Sequence, residues 1–126
     1  SGYFCDLGKA YQIANDILNF KGIDGAELIA GDLARRAPNA VTVSFVESLN
    51  SDDYNKFIVW YNHSDNKDLK LWRDKVFSSK AIETASLRML KILNEAERNI
   101  NTLPSSAQEA VVPVHSLIKH VCKLSA

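Results

Sequence analysis

Apolar residues recur along most of this chain at three- and four-residue steps, the period of one face of an α-helix. Phe4, Leu7, Tyr11, Ala14 and Leu18 set that period in the opening stretch, YFCDLGKAYQIANDILNF. A glycine-bearing loop follows, FKGIDGAELIAGD, with Gly22, Gly25 and Gly31. The next segment, NAVTVSFVESL, pulls two ways, because Val41, Val43 and Phe45 favour a strand by propensity. Its neighbours all have helical periods, so it reads as a buried helix. Pro38 is expected in its first turn, where a missing N–H costs nothing. Ser51-Asp52-Asp53 and Ser64-Asp65 have the composition of helix N-termini, for DYNKFIVWYN and KDLKLWRDKVF. From Ile82, the set Ala85, Met89, Ile92, Ala96, Ile100 and Leu103 keeps one face until Pro104. Ser105 with Gln108 has the spacing of a capping box. It opens a last helix carrying Val111, Val114, Leu117, Ile118, Val121 and Leu124, whose stripe from Val111 to Val121 reads as core. Pro113 lies inside that helix and is expected to kink it.

The pattern predicts an all-α helical bundle of six helices, one unit over residues 1–126, with no internal repeat, low-complexity tract or linker. The first helix starts without a cap or a preceding turn, so the chain reads as a fragment of a larger domain.

Composition narrows the function classes. Hydrophobic residues make up 46% and charged residues 24%, the balance of an ordinary globular chain. Fifteen basic residues balance fifteen acidic ones. A net charge of zero argues against nucleic-acid binding through bulk electrostatics. No apolar run approaches the ~20 residues of a membrane span. No secretory signal opens the sequence, and a cytoplasmic location is expected. Cys5 and Cys122 lie near opposite ends, and a disulfide would need those ends to meet. They read as free buried thiols in a reducing compartment.

The candidate chemistry sits in AYQIANDILNF. Carboxylates three or four residues apart on a helix point the same way and can share a metal ion. Here the polar positions are Asn15, Asp16 and Asn19, so two of three are neutral amides. His63, His115 and His120 form no metal set, since the last two are five residues apart and fall on different helix faces. No Cys–His or Ser–His–Asp arrangement is visible. Trp60 and Trp72 read as core or interface residues.

Leu7, Gly8, Ala10, Tyr11 and Gln12, followed by Asn15, Asp16 and Asn19, resemble one segment of the trans-isoprenyl diphosphate synthases. In that family the helix around the second aspartate-rich motif runs Leu-Gly-x-Ala-Phe/Tyr-Gln-x-x-Asp-Asp-x-x-Asp. Gly31-Asp32-Leu33 with Arg35 and Arg36 is similar to the family's Gly-Ser-Asp-Leu and basic stretch. The tail AIETASLRMLKILNEAERNINTLPSSAQEAV is similar in style. The resemblance implies the C-terminal portion of the isoprenoid synthase fold. It also implies a prenyltransferase that condenses isopentenyl diphosphate with an allylic diphosphate. Mg2+ would be the cofactor, a hard Lewis acid that stabilises the departing diphosphate. Asp16, with Asn15 and Asn19 at the aspartate positions, would hold the metal. Gln12, Lys21, Arg35 and Arg36 would bind substrate, the guanidinium groups gripping phosphate oxygens. The implied partners are the N-terminal part of the same domain, or a partner subunit, and a second copy in a dimer.

The sequence also departs from the family. An amide can ligate Mg2+ but adds no negative charge, and the family's Gly-Lys pair is missing from the loop. These departures imply an alternative, a non-catalytic isoprenyl-synthase-like subunit that regulates or stabilises a catalytic partner. The residues taken alone leave plainer roles open. Asn15 and Asn19 can be surface amides, Gln12 a bond to a neighbouring helix, Arg35 and Arg36 loop charges, and Asp32 a helix cap.

Overall fold

The computed structural model describes residues 2–22, 29–63 and 65–126. Among these residues the chain is all-α. The helices are α1 (Tyr3–Lys21), α2 (Gly31–Ala34), α3 (Ala40–Glu47), α4 (Ser51–Tyr61), α5 (Leu69–Ser78), α6 (Ala81–Asn99) and α7 (Ser105–Ser125). A 3-10 turn, Ile100–Thr102, extends α6 towards Pro104. Six of these helices match the expected six. The addition is α2, a single turn of four residues, too short to leave a period in the sequence. Among the described residues, no helix is long and apolar enough to cross a membrane.

The residues group into two compact units, Ser1–Asn15 with Ser86–Ala126, and Asp16–Ala85. In the first unit, Tyr3, Leu7, Ala10 and Ala14 of α1 are buried, as are Met89, Leu93 and Ala96 of α6. The α6 set follows the expected steps, whereas α1 buries Leu7 and Ala14 of its expected face with Tyr3 and Ala10 and leaves Phe4 and Tyr11 exposed. The small side chain of Ala10 lets another helix come close, and the Cys122 Sγ of α7 sits 3.9 Å from the Ala10 carbonyl oxygen. Cys122 is buried and Cys5 is exposed, both as free thiols, so the expected burial of both holds only for Cys122.

Helix α7 departs from its expected face. Val111 is buried, but Val114, Leu117 and Leu124 are 51%, 64% and 58% exposed. The buried side runs Val111, His115, Cys122, Ser125. Three of those four carry polar atoms with partners, which a hydropathy reading assigns to the outside. The capping box is also absent. Pro104 occupies the N-cap position with extended backbone, which places Ser105 one residue inside the helix, too late to cap it. The Gln108 amide instead donates to the Leu103 carbonyl at 2.8 Å. The helix continues through Pro113.

The second unit is built around aromatic rings. Phe45, Phe57, Trp60 and Trp72 are buried, and Phe57 meets Phe45 and Trp72 edge-to-face at 5.5 and 5.2 Å, a geometry favoured by the ring quadrupoles. Ile17 and Phe20 of α1, Leu33 of α2, Val41 of α3 and Val76 of α5 complete this core. Helix α3 forms despite its β-branched residues because its first N–H groups are satisfied. Asn39 is its N-cap, accepting from the Val41 N–H at 2.8 Å. Pro38 therefore precedes the cap and lies outside the first turn. Asn50 caps α4, its Oδ1 accepting from the Asp53 N–H at 2.8 Å, one residue ahead of the expected Ser51. Asp65 does not cap α5. Its Oδ1 accepts from the Lys67 N–H at 3.1 Å, and the helix begins only at Leu69, after Asp68 in left-handed geometry. Ser64, the other expected cap, lies outside the described residues, as does Gly25.

Candidate functional site

On α1 within the first unit, Leu7, Ala10 and Ala14 point into the core. The remaining side leaves Phe4 63% and Tyr11 42% exposed, with Gly8, Gln12 and Asn15 exposed between and beyond them. Gln12 and Asn15 are three residues apart, so their amides share this open side.

In the second unit the candidate residues are already engaged. The Asp16 Oδ2 accepts from the Ala40 N–H at 2.9 Å, so this carboxylate caps α3. The Asn39 amide donates to the Asp16 backbone carbonyl at 3.0 Å and to the Asp32 Oδ2 at 3.0 Å. The Asp32 N–H donates to the Asn19 Oδ1 at 3.0 Å. Arg35 closes the set, donating from Nη2 to the Asp32 Oδ1 at 2.8 Å. Asn19 and Asn39 are buried. The result is a polar knot that fixes the α2 turn and the start of α3 onto α1. Burial pushes the Asp16 carboxyl above its ordinary value, the Ala40 N–H opposes this, and the negative charge of Asp32 adds to it.

Arg36 is equally committed. Its guanidinium donates to the carbonyls of Tyr61 (3.2 Å), Leu33 (3.4 Å), Ala34 (3.1 Å), His63 (2.9 Å) and Asp65 (2.8 Å). It also lies over the Trp60 ring, 3.8 Å from the centroid, as a cation–π contact. Arg36 itself has φ of 56°, a left-handed conformation that a non-glycine residue adopts only when its surroundings enforce it. Five carbonyls and a ring supply that enforcement. Its role here is a pin between α2 and the α4–α5 connection. Arg35 is different, since its side chain is largely exposed and it pairs with Asp32. Lys21 is half-buried in the last turn of α1, where a cation meets the negative end of the helix dipole.

Several of the donors that an Mg2+ ion would use are engaged within the chain. Asp16 has one oxygen taken by a backbone N–H, both oxygens of Asp32 are bonded, and the Asn19 oxygen faces the Asp32 N–H. Among the described residues no group of three or more His, Cys, Asp or Glu side chains converges to hold a metal. Asn39 is the residue that the sequence reading missed. Its signal was an Asn directly before an apolar segment, the composition of an N-cap.

A groove of about 540 Å3 lies between α4 and α5, lined by Val59, Trp60, Leu71 and Trp72 with Lys56 and Lys67 at its edge. None of the candidate residues lines it. Comparison with protein families, curated proteins and solved structures gives no match for this chain.

Proposed function

We propose that this chain is the C-terminal portion of an isoprenoid-synthase-like domain of the prenyltransferase class, acting on isoprenyl diphosphates. The observation that carries the reading is the open side of α1. The positions that match the family's Tyr-Gln and first motif residue, Tyr11, Gln12 and Asn15, are all exposed together there. In this reading Gln12 and Asn15 offer amide N–H groups to the diphosphate oxygens. The knot of Asp16, Asn19, Asp32 and Asn39 is scaffold. Arg35 is a guanidinium of the second unit that an anion can reach.

The second reading, a non-catalytic isoprenyl-synthase-like subunit, is favoured by one specific observation. The carboxylates that would charge a metal site are consumed in capping and ion pairing. A prenyl-transfer assay separates the two. The protein is given Mg2+, isopentenyl diphosphate and allylic diphosphates of several lengths, and product is followed by mass. Product that falls at least about tenfold in Gln12→Ala, the weight of an interaction made in the transition state, supports the first reading. No product from the folded protein alone, together with a changed product length when it is added to a catalytic isoprenyl synthase, supports the second.

A further inference from the structure

Helix α7 has a second apolar face. Its buried side, Val111, His115, Cys122 and Ser125, is engaged inside the first unit. There the Tyr3 Oη of α1 lies 2.8 Å from the His115 Nδ1, and the Glu97 Oε1 of α6 lies 3.2 Å from the His115 Nε2. A different set, Ala107, Ala110, Val114, Leu117, Val121 and Leu124, recurs at alternating steps of three and four residues. That alternation is the heptad seam along which one helix packs against another. Val114, Leu117 and Leu124 are each more than half exposed, and Ala110 is exposed with them. No described helix of the first unit covers these outer surfaces.

Side-chain size along the seam selects the occupant. It rises from Ala107 and Ala110 at the start of α7 to Leu117 and Leu124 near its end. Consider a second copy running antiparallel, with the two-fold axis level with His115 and Ser116. Ala107 then meets Leu124 of the other copy, Ala110 meets Val121, and Val114 meets Leu117. Each layer sets a smaller side chain against a larger one, and symmetry repeats the three layers on the other side of the axis. A parallel copy would set Ala on Ala at one end, leaving a gap, and Leu on Leu at the other. Charge selects the same arrangement. Glu109 and Lys123 are both exposed and lie two heptads apart on one flank of the seam. The antiparallel copy brings Glu109 of each chain level with Lys123 of the other, where a parallel copy would bring like charges together. The two helix dipoles also oppose each other.

We propose that the outer seam of α7 is an isologous interface for a second copy of this chain, formed by two α7 helices packed antiparallel. It stands apart from the prenyltransferase reading and uses none of its residues. A seam of one helix is small beside a standard interface, so the dimer is weak, with a Kd on the order of 100 µM.

The test is sedimentation equilibrium of the whole chain from about 10 µM to about 1 mM, a range that spans that Kd. The wild-type protein is expected to pass from monomer to dimer. Leu117→Gln with Leu124→Gln should raise the Kd at least about tenfold, as loss of the central anchors of a small interface does. The double variant should keep its helical circular dichroism, because both side chains are exposed in the monomer. Val112→Gln, at an exposed position on the far side of α7, should leave the Kd unchanged. Orientation is read from spin labels at Ser106→Cys and Ser116→Cys, one at a time, in a chain that also carries Cys5→Ser; Cys122 is buried. In the antiparallel dimer the labels at position 116 stand within about 20 Å across the axis, and those at position 106 about 30 Å apart by the helical rise. A monomer at every concentration overturns the proposal and leaves the seam to a chain of different sequence. A dimer that the double variant leaves intact, or equally short distances at both labelled positions, overturns it as well.

Discussion

Asn39 illustrates how much one amide can organise. It caps α3 with its oxygen and holds Asp16 and Asp32 with its nitrogen. Replacing it takes a partner from a carboxylate oxygen and from a helix N–H at once. Asn39→Ala is therefore expected to cost about 2–3 kcal/mol in urea unfolding, more than an ordinary cap. Asp16 separates charge from hydrogen bonding. Asp16→Ala should cost about 1 kcal/mol as a lost cap, whereas Asp16→Asn keeps an oxygen for the Ala40 N–H and should stay within about 0.5 kcal/mol. The pH dependence has a definite sign. Because the folded state raises the Asp16 carboxyl, folded protein binds that proton more readily than the unfolded chain. This contribution makes stability rise as pH falls through the folded value, and it levels off below the unfolded one. Stability measured against pH should lose that rise in Asp16→Asn. For Arg36, lysine is a poor substitute, since a lysine ammonium has three donors and no flat face for Trp60. Arg36→Lys is expected to destabilise by about 2 kcal/mol, with altered tryptophan emission as the direct sign that the cation has left the ring.

At the scale of elements, the sequence was most legible where burial and periodicity agree. Helix α6 follows its apolar steps through Ala96, and α1 does so at Leu7, Ala14 and Leu18 but turns Phe4 and Tyr11 outward. Helix α3 was ambiguous because Val41, Val43 and Phe45 suit either structure, and the decision rests on hydrogen bonds from Asn39 and Asp16, the latter 24 residues away. Helix α2 was illegible, since one turn has no period. Helix α7 was misread because apolar residues occur on more than one side, and the side that packs includes His115, Cys122 and Ser125. Burial makes a clear contrast there. Val111→Ser should cost about 2 kcal/mol or more, while Leu117→Ser should stay within about 0.5 kcal/mol, read from the same denaturant midpoints.

For the whole molecule, the all-α class was legible because helical periods run from end to end. The candidate site was legible only as a set of residue types. Sequence placed Asp16, Asn19, Arg35 and Arg36 near one another, and the structure brings the first three into one knot. What sequence could not show is that the carboxylates are occupied. Asp16 meets a backbone N–H, which leaves no letter in a sequence, and Asp32 meets the Arg35 and Asn39 side chains, whose pairing only the fold brings about. If scaffold is their role, added Mg2+ should leave the thermal midpoint of the wild-type protein unshifted. A rise that grows with metal concentration would reveal a bound ion, by mass action.

Helix α7 carries one further consequence. Hydrophobic attraction has no direction, and a rod that is greasy around much of its girth can roll between resting positions of similar depth. The bonds from His115 to Tyr3 and Glu97, and from Ser125 to the Met89 sulfur at 3.3 Å, exist at only one of those positions. They work as a key in a lock that grease alone would leave loose. A variant with purely apolar residues at His115 and Ser125 could bury as much surface and melt as high, yet populate several rotations of the same helix in place of one.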